Sequence, residues 1–150
     1  MREVMTKSMA RNIFYGGSLF FIIIFLGLSF HSHRFIVTTS TNAETLNASV
    51  IAGKRVWEDK VCINCHTLLG EGAYFAPELG NVMERWGVLE DPDDAFETLK
   101  GWMESQPTGI EGRRQMPQFD LTDEEIRNLS DFLIWTNTID TQGWPPNEAG

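Results

Sequence analysis

Residues 12 to 30 carry no charged side chain, and Ile13, Phe14, Leu19 to Leu26 and Leu28 to Phe30 make them almost continuously apolar. At ~1.5 Å per residue, about twenty such residues cross a bilayer core, so the pattern predicts a membrane-spanning helix. The anchor is assigned to residues 12–33, after a short N-terminal stretch, 1–11. A cleavable signal peptide has a shorter apolar run followed by a small-residue cleavage motif. Here the run ends in Phe30-His31-Ser32-His33-Arg34. Arg2, Lys7 and Arg11 precede the span and favour a cytoplasmic N-terminus, which puts the rest of the chain outside. His31 and His33 read as residues of the membrane edge and receive no function.

Beyond the span the pattern changes. Residues 34–47 read as a linker, polar from Thr38 to Asn47, where Thr, Asn and Ser predominate. From Ala48 to Asp59, Val50, Gly53 and Trp57 recur at helical spacing. A glycine inside a helix costs ~1 kcal/mol relative to alanine, so Gly53 marks either a close helix crossing or a tolerated accident. The best crossing partner is the C-terminal helix, where Thr122 and Glu125 form a capping box flanked by Leu121 and Ile126. Its apolar stripe is Ile126, Leu129, Phe132 and Leu133, and it should run to about Thr138. Asp91-Pro92-Asp93-Asp94 predicts a middle helix from Pro92 to about Met103. No convincing strand pairs occur, so the domain over 48–150 is expected to be all-α.

The chemistry lies in Cys62-Ile63-Asn64-Cys65-His66, the attachment motif of c-type haem. Residues at i and i+3 share a helical face, so both thiols can reach the vinyl groups on one porphyrin edge. His66 then offers an axial imidazole. A zinc site would need a second ligand pair, and these are the only cysteines. A thioredoxin-type CxxC would need a strand-helix-strand setting, which Val56 to Leu69 does not provide. The domain is loop-rich, and one covalent haem would supply the core that its loops need to order.

Charge narrows the partners. Residues 35–150 hold eight Lys and Arg against twenty Asp and Glu, a net charge of 8 − 20 = −12. This excludes a nucleic-acid binder and suits a partner with a basic patch.

An electron-transfer haem usually has both axial positions filled, His/Met being the pairing that raises the potential. No histidine follows His66, which leaves Met83, Met103 and Met116. Met103 falls in the middle helix and Met83 near Trp86, where packing explains both. Met116 precedes Pro117 in a loop before the last helix and is chosen. The Pro77 carbonyl is a candidate acceptor for the His66 Nδ1–H. Arg113 and Arg114 are candidate partners of the haem propionates.

These pieces together, CxxCH, the Gly53/Trp57 helix, Pro77-Glu78-Leu79 and Met116-Pro117, resemble a class I cytochrome c. The string from Cys62 to Leu79, with Gly70-Glu71-Gly72-Ala73-Tyr74 inside it, is more particular. It is similar to the cytochrome c subunit of bacterial respiratory nitric oxide reductase. So are Leu121-Thr122 and the tail Ile139-Asp140-Thr141-Gln142-Gly143-Trp144-Pro145-Pro146. The resemblance implies a single-pass protein of the bacterial inner membrane with its haem domain in the periplasm. It implies a heterodimer with a large, polytopic catalytic subunit that holds haem b and a haem b/non-haem iron centre, where two NO become N2O and water. This chain would be non-catalytic, passing on electrons from a small periplasmic cytochrome c or a cupredoxin. The resemblance also implies that Gly72 and Tyr74 lie at the interface between the two subunits, close to a calcium near the haem propionates. Competing readings are the haem c subunit of a terminal oxidase, a haem-based gas sensor in which Met116 leaves the iron, and a free-standing tethered shuttle.

Overall fold

A computed structural model describes residues 5–41 and 43–144. Arg2, one of the basic residues used to orient the anchor, and Pro145-Pro146 of the tail lie outside the described residues.

The first helix, α1 (Lys7–Phe35), has 29 residues, about 43 Å, more than the ~30 Å of a hydrocarbon core. It is long and apolar enough to cross a membrane, and none of it is buried against the rest of the chain. The helix starts ahead of the expected span because Thr6 caps it, its Oγ1 accepting from Met9 N at 3.2 Å. It also outruns the expected span at the other end. After Phe35 the chain continues as one π-helical turn, Ile36–Ser40. Thr38 and Thr41 support that turn by donating their hydroxyls to the carbonyls of Arg34 and Ile36, each at 2.8 Å.

The stretch expected to be a polar linker is therefore partly helical, and it is tied to the far end of the chain. Asp140 N donates to Ser40 O at 2.9 Å, and the Ser40 hydroxyl returns a bond to Asp140 O at 2.6 Å. Trp135 Nε1 donates to Thr45 Oγ1 at 2.9 Å.

The domain is built on α2 (Ala48–Asp59) and α5 (Asp123–Asn137). Asn47 caps α2, and Thr122 and Glu125 form the expected capping box of α5. The two helices cross at Gly53. A Cβ there would lie 1.9 Å from Asn128 O, so only glycine permits the approach. Val50, Val56 and Trp57 of α2 bury against Ile126, Leu129, Phe132 and Leu133 of α5. A short α3 (Val82–Arg85) follows α2 in the chain, and it buries Val82 and Met83. Then comes α4 (Pro92–Glu104), capped by Asp91 and buried through Ala95, Phe96, Leu99 and Met103. Arg127 of α5 holds α4 in place by an ion pair to Asp93 at 2.9 Å, a bond to Pro92 O and a stack 4.0 Å over the Phe96 ring.

The expectation of no strand pairs needs one correction. A minimal antiparallel hairpin joins β1 (Thr67–Leu68) to β2 (Glu71–Gly72). Two-residue strands carry no readable alternation, and the domain remains all-α in class.

Candidate haem-binding site

The site begins where α2 ends. Val61 takes a left-handed backbone conformation, φ 56°, and turns the chain off the helix axis. Cys62 to Asn64 then form a tight 3₁₀ turn rather than the α-helical turn assumed from the spacing. In a 3₁₀ turn residues i and i+3 eclipse, so Cys62 and Cys65 still come to one side. His66 N closes the turn on Cys62 O at 2.9 Å.

Cys62, Cys65 and His66 line one cavity of about 430 Å³, with Tyr74, Arg113, Arg114 and Met116 also on its walls. A second cavity, of about 150 Å³, shares Cys62, His66, Pro77, Trp102 and Met116 and reaches the core at Leu129 and Leu133. The four expected haem-binding residues and Tyr74 thus meet around one space. Gly72 does not line it. Its observed role is steric: at φ 124°, a Cβ would lie 2.3 Å from the His66 carbonyl oxygen.

The imidazole is held from two sides. Its Nδ1–H donates to Pro77 O at 2.8 Å, which leaves Nε2 with its lone pair. The Trp57 ring lies 6.5 Å from it, centroid to centroid, and 6.4 Å from Phe132, linking His66 to the helix crossing. Burial lowers the His66 pKa below its ordinary value, against the opposing pull of the Pro77 bond, and favours the neutral, ligating form. Burial also pushes the Cys62 thiol up to about 11. Both cysteines are free. Two free cysteines, one neutral imidazole and one thioether around a space with arginines on one wall and a continuation into the apolar core fit a covalently attached haem.

Of the competing methionines, Met83 is fully buried in the core, as packing requires, and lines neither cavity. Met103 is buried too, but it touches the smaller cavity. Of the three, Met116 alone lines both.

Several residues with a part in the site were not singled out from sequence. Trp102 lines both cavities and pairs with Trp86 at 6.0 Å. Phe75 lies under Arg114, which the sequence did single out, with the guanidinium 5.1 Å over its ring. Glu78, only 1% exposed, accepts from Leu69 N at 2.7 Å, Gly70 N at 3.2 Å and Gly80 N at 2.8 Å, clamping the turn between β1 and β2. Against that turn lie the Trp144 ring, 3.1 Å from where a Gly70 Cβ would be, and the Tyr74 hydroxyl, which donates to Gly70 O at 3.3 Å. No local periodicity could have found Glu78, because its partners are brought in by the fold.

Fold and site together are those of a cytochrome c, and the family model described as Cytochrome c matches residues 50–137. Over all 150 residues, covering both chains completely, the sequence is 71% identical to the C subunit of nitric oxide reductase from Paracoccus denitrificans and 64% identical to that from Cereibacter sphaeroides. The corresponding protein of Stutzerimonas stutzeri is 51% identical over the same full length. The chain belongs to this family, the C subunits of nitric oxide reductase.

Proposed function

We propose that this chain is the membrane-anchored electron-transfer subunit of a nitric oxide reductase, holding one haem c and catalysing nothing alone. The observation that carries the reading is the convergence of Cys62, Cys65, His66 and Met116 on one cavity in a member of this family. Cys62 and Cys65 would hold the haem through thioether links and His66 and Met116 would be its protein ligands, and the group would supply a one-electron ferric/ferrous couple. Pro77 fixes the imidazole orientation through its carbonyl. With His66 and Met116 both bound, the haem would offer no open position to NO, and N2O formation would fall to the large polytopic subunit.

Residues 12–33 are assigned as the span, 1–11 as cytoplasmic and 48–150 as the periplasmic domain of an inner-membrane protein, with 34–47 as the connection. Gly72 and Tyr74 belong to the surface that meets the catalytic subunit. A calcium, where one is bound at this surface, would lie close to Gly72 and Tyr74 and take oxygen ligands. The net charge of −12 over residues 35–150, from eight cations and twenty anions, suits a basic periplasmic cytochrome c or cupredoxin as donor. Reduction by such a donor should slow as salt rises.

The test is Met116→Leu in the full chain. It should abolish the weak charge-transfer absorption of oxidised Met-ligated haem and lower the potential. The same loss in Met83→Leu or Met103→Leu would overturn the assignment. The purified chain alone should accept electrons and form no N2O, and turnover should appear only with the large subunit present.

A further inference from the structure

The loop that carries Met116 has no helix or strand of its own, yet one side chain closes it. The Gln115 side-chain amide makes four hydrogen bonds, all within residues 108–115. Its Oε1 accepts from Thr108 Oγ1 and Gly109 N, each at 3.1 Å. Its Nε2 donates to Ile110 O at 3.0 Å and Arg113 O at 2.9 Å. A primary amide offers two acceptor lone pairs and two donor hydrogens, so this geometry uses its full capacity. Among the described residues, the turn at Ile110 to Arg113 is otherwise tied only by Arg113 N to Ile110 O at 3.3 Å, and Gly109 and Gly112 hold positive φ. With φ 67° and 76° at those glycines, the backbone has little intrinsic preference for this shape.

From this geometry we infer that Gln115 is a positioning residue for the Met116 ligand: its amide staples the 108–115 loop and sets how firmly the thioether stays on the iron. This rests on the assignment of Met116 as an axial ligand. Only an amide of this length satisfies both halves of the loop. A carboxylate in the same place keeps the acceptor but loses both donations and faces the Ile110 and Arg113 carbonyls with negative charge. Its neighbour Arg114 is stacked on Phe75 across the same cavity, so a loosened loop would shift that contact as well.

The test uses the full-length, haem-loaded chain in detergent and two variants, Gln115→Glu, of equal size, and Gln115→Ala. Added imidazole binds the ferric iron only when the methionine leaves, so its apparent affinity reports the Met-dissociated fraction. Gln115→Glu should bind imidazole roughly thirtyfold more tightly, the effect of losing about two net hydrogen bonds, and Gln115→Ala, which loses all four, at least as tightly. Their potentials should fall, and the charge-transfer band should disappear on heating before the helical circular dichroism does. Wild-type imidazole affinity and potential in Gln115→Glu and Gln115→Ala would overturn the inference. Met116→Leu is measured alongside. If it keeps the charge-transfer band, the ligand assignment itself fails. If it loses the band while both Gln115 variants match wild type, only the positioning role fails.

Discussion

The two halves of the haem domain are held together by opposite means. In the α2–α5 pair, regular helices bury Val50, Trp57, Leu129 and Phe132 and approach so closely at Gly53 that Asn128 O would sit 1.9 Å from any added Cβ. The half that faces the cofactor is loop. Residues 61–81 and 105–119 hold their shape through scattered backbone bonds and a few polar side chains, chiefly Glu78 behind the first loop and Gln115 within the second. The helix pair draws its stability from area that water no longer touches, and that area accumulates from many contacts. The loop half depends on a few hydrogen bonds, each worth ~1 kcal/mol net, and on whatever fills the cavity. His66 sits where the two meet, between Trp57 of the helix pair and the Pro77 carbonyl of the loops.

Removing the covalent links should have the largest effect and should expose the difference directly. With Cys62→Ala and Cys65→Ala together, the protein should accumulate poorly, and what survives should keep hydrogen-exchange protection in α2 and α5 while losing it at Leu69, Gly80 and Gly109. Equal loss in both halves would break the comparison. Gly53→Ala attacks the other side. Over-packing costs typically 1–3 kcal/mol, and a backbone oxygen cannot move aside, so about 3 kcal/mol should be lost in denaturant unfolding with the haem spectrum of the folded protein unchanged. A wild-type midpoint would mean that the crossing is looser than the geometry indicates.

Glu78→Gln should come next. The amide keeps one acceptor oxygen but turns a donor towards backbone N–H groups that need an acceptor, a penalty of roughly 1–3 kcal/mol. Exchange should quicken at Leu69, Gly70 and Gly80 and stay slow in α5. Ser40→Ala should be the mildest, at about 0.5–1.5 kcal/mol. It removes the hydroxyl donation to Asp140 O and keeps the backbone bond from Asp140 N, so a small fall in thermal midpoint is expected. A change in haem potential in this variant would show that the anchor end and the cofactor half are coupled.

Much of this protein is written in short stretches of chain. The bounds of α2, the Asp91 cap of α4 and the Thr122/Glu125 box of α5 follow from residues close together in the chain, and each appears where the sequence predicts it. CxxCH is legible for the same reason, although the turn that presents it is 3₁₀ because Val61 leaves the helix first. Gly53 is legible as an energetic cost and as a candidate crossing point with the C-terminal helix, but not as a contact with a particular atom. What repays that cost, the close approach to Asn128, involves a residue far along the chain on α5. Ser40 is joined to Asp140 across 100 residues, and Thr45 to Trp135 across 90. Even Glu78, whose partners are only 2 to 9 residues away, escapes prediction. A hydrogen bond needs a direction as well as a neighbour, and the direction of its carboxylate is set only once the loops have closed. The sequence by itself determined the elements and the chemistry, because those depend on local periodicity and on residue type. The cavity, the meeting of Met116 with His66 around it and the two polar staples were decided by tertiary structure, because they depend on orientation between segments that no local pattern encodes.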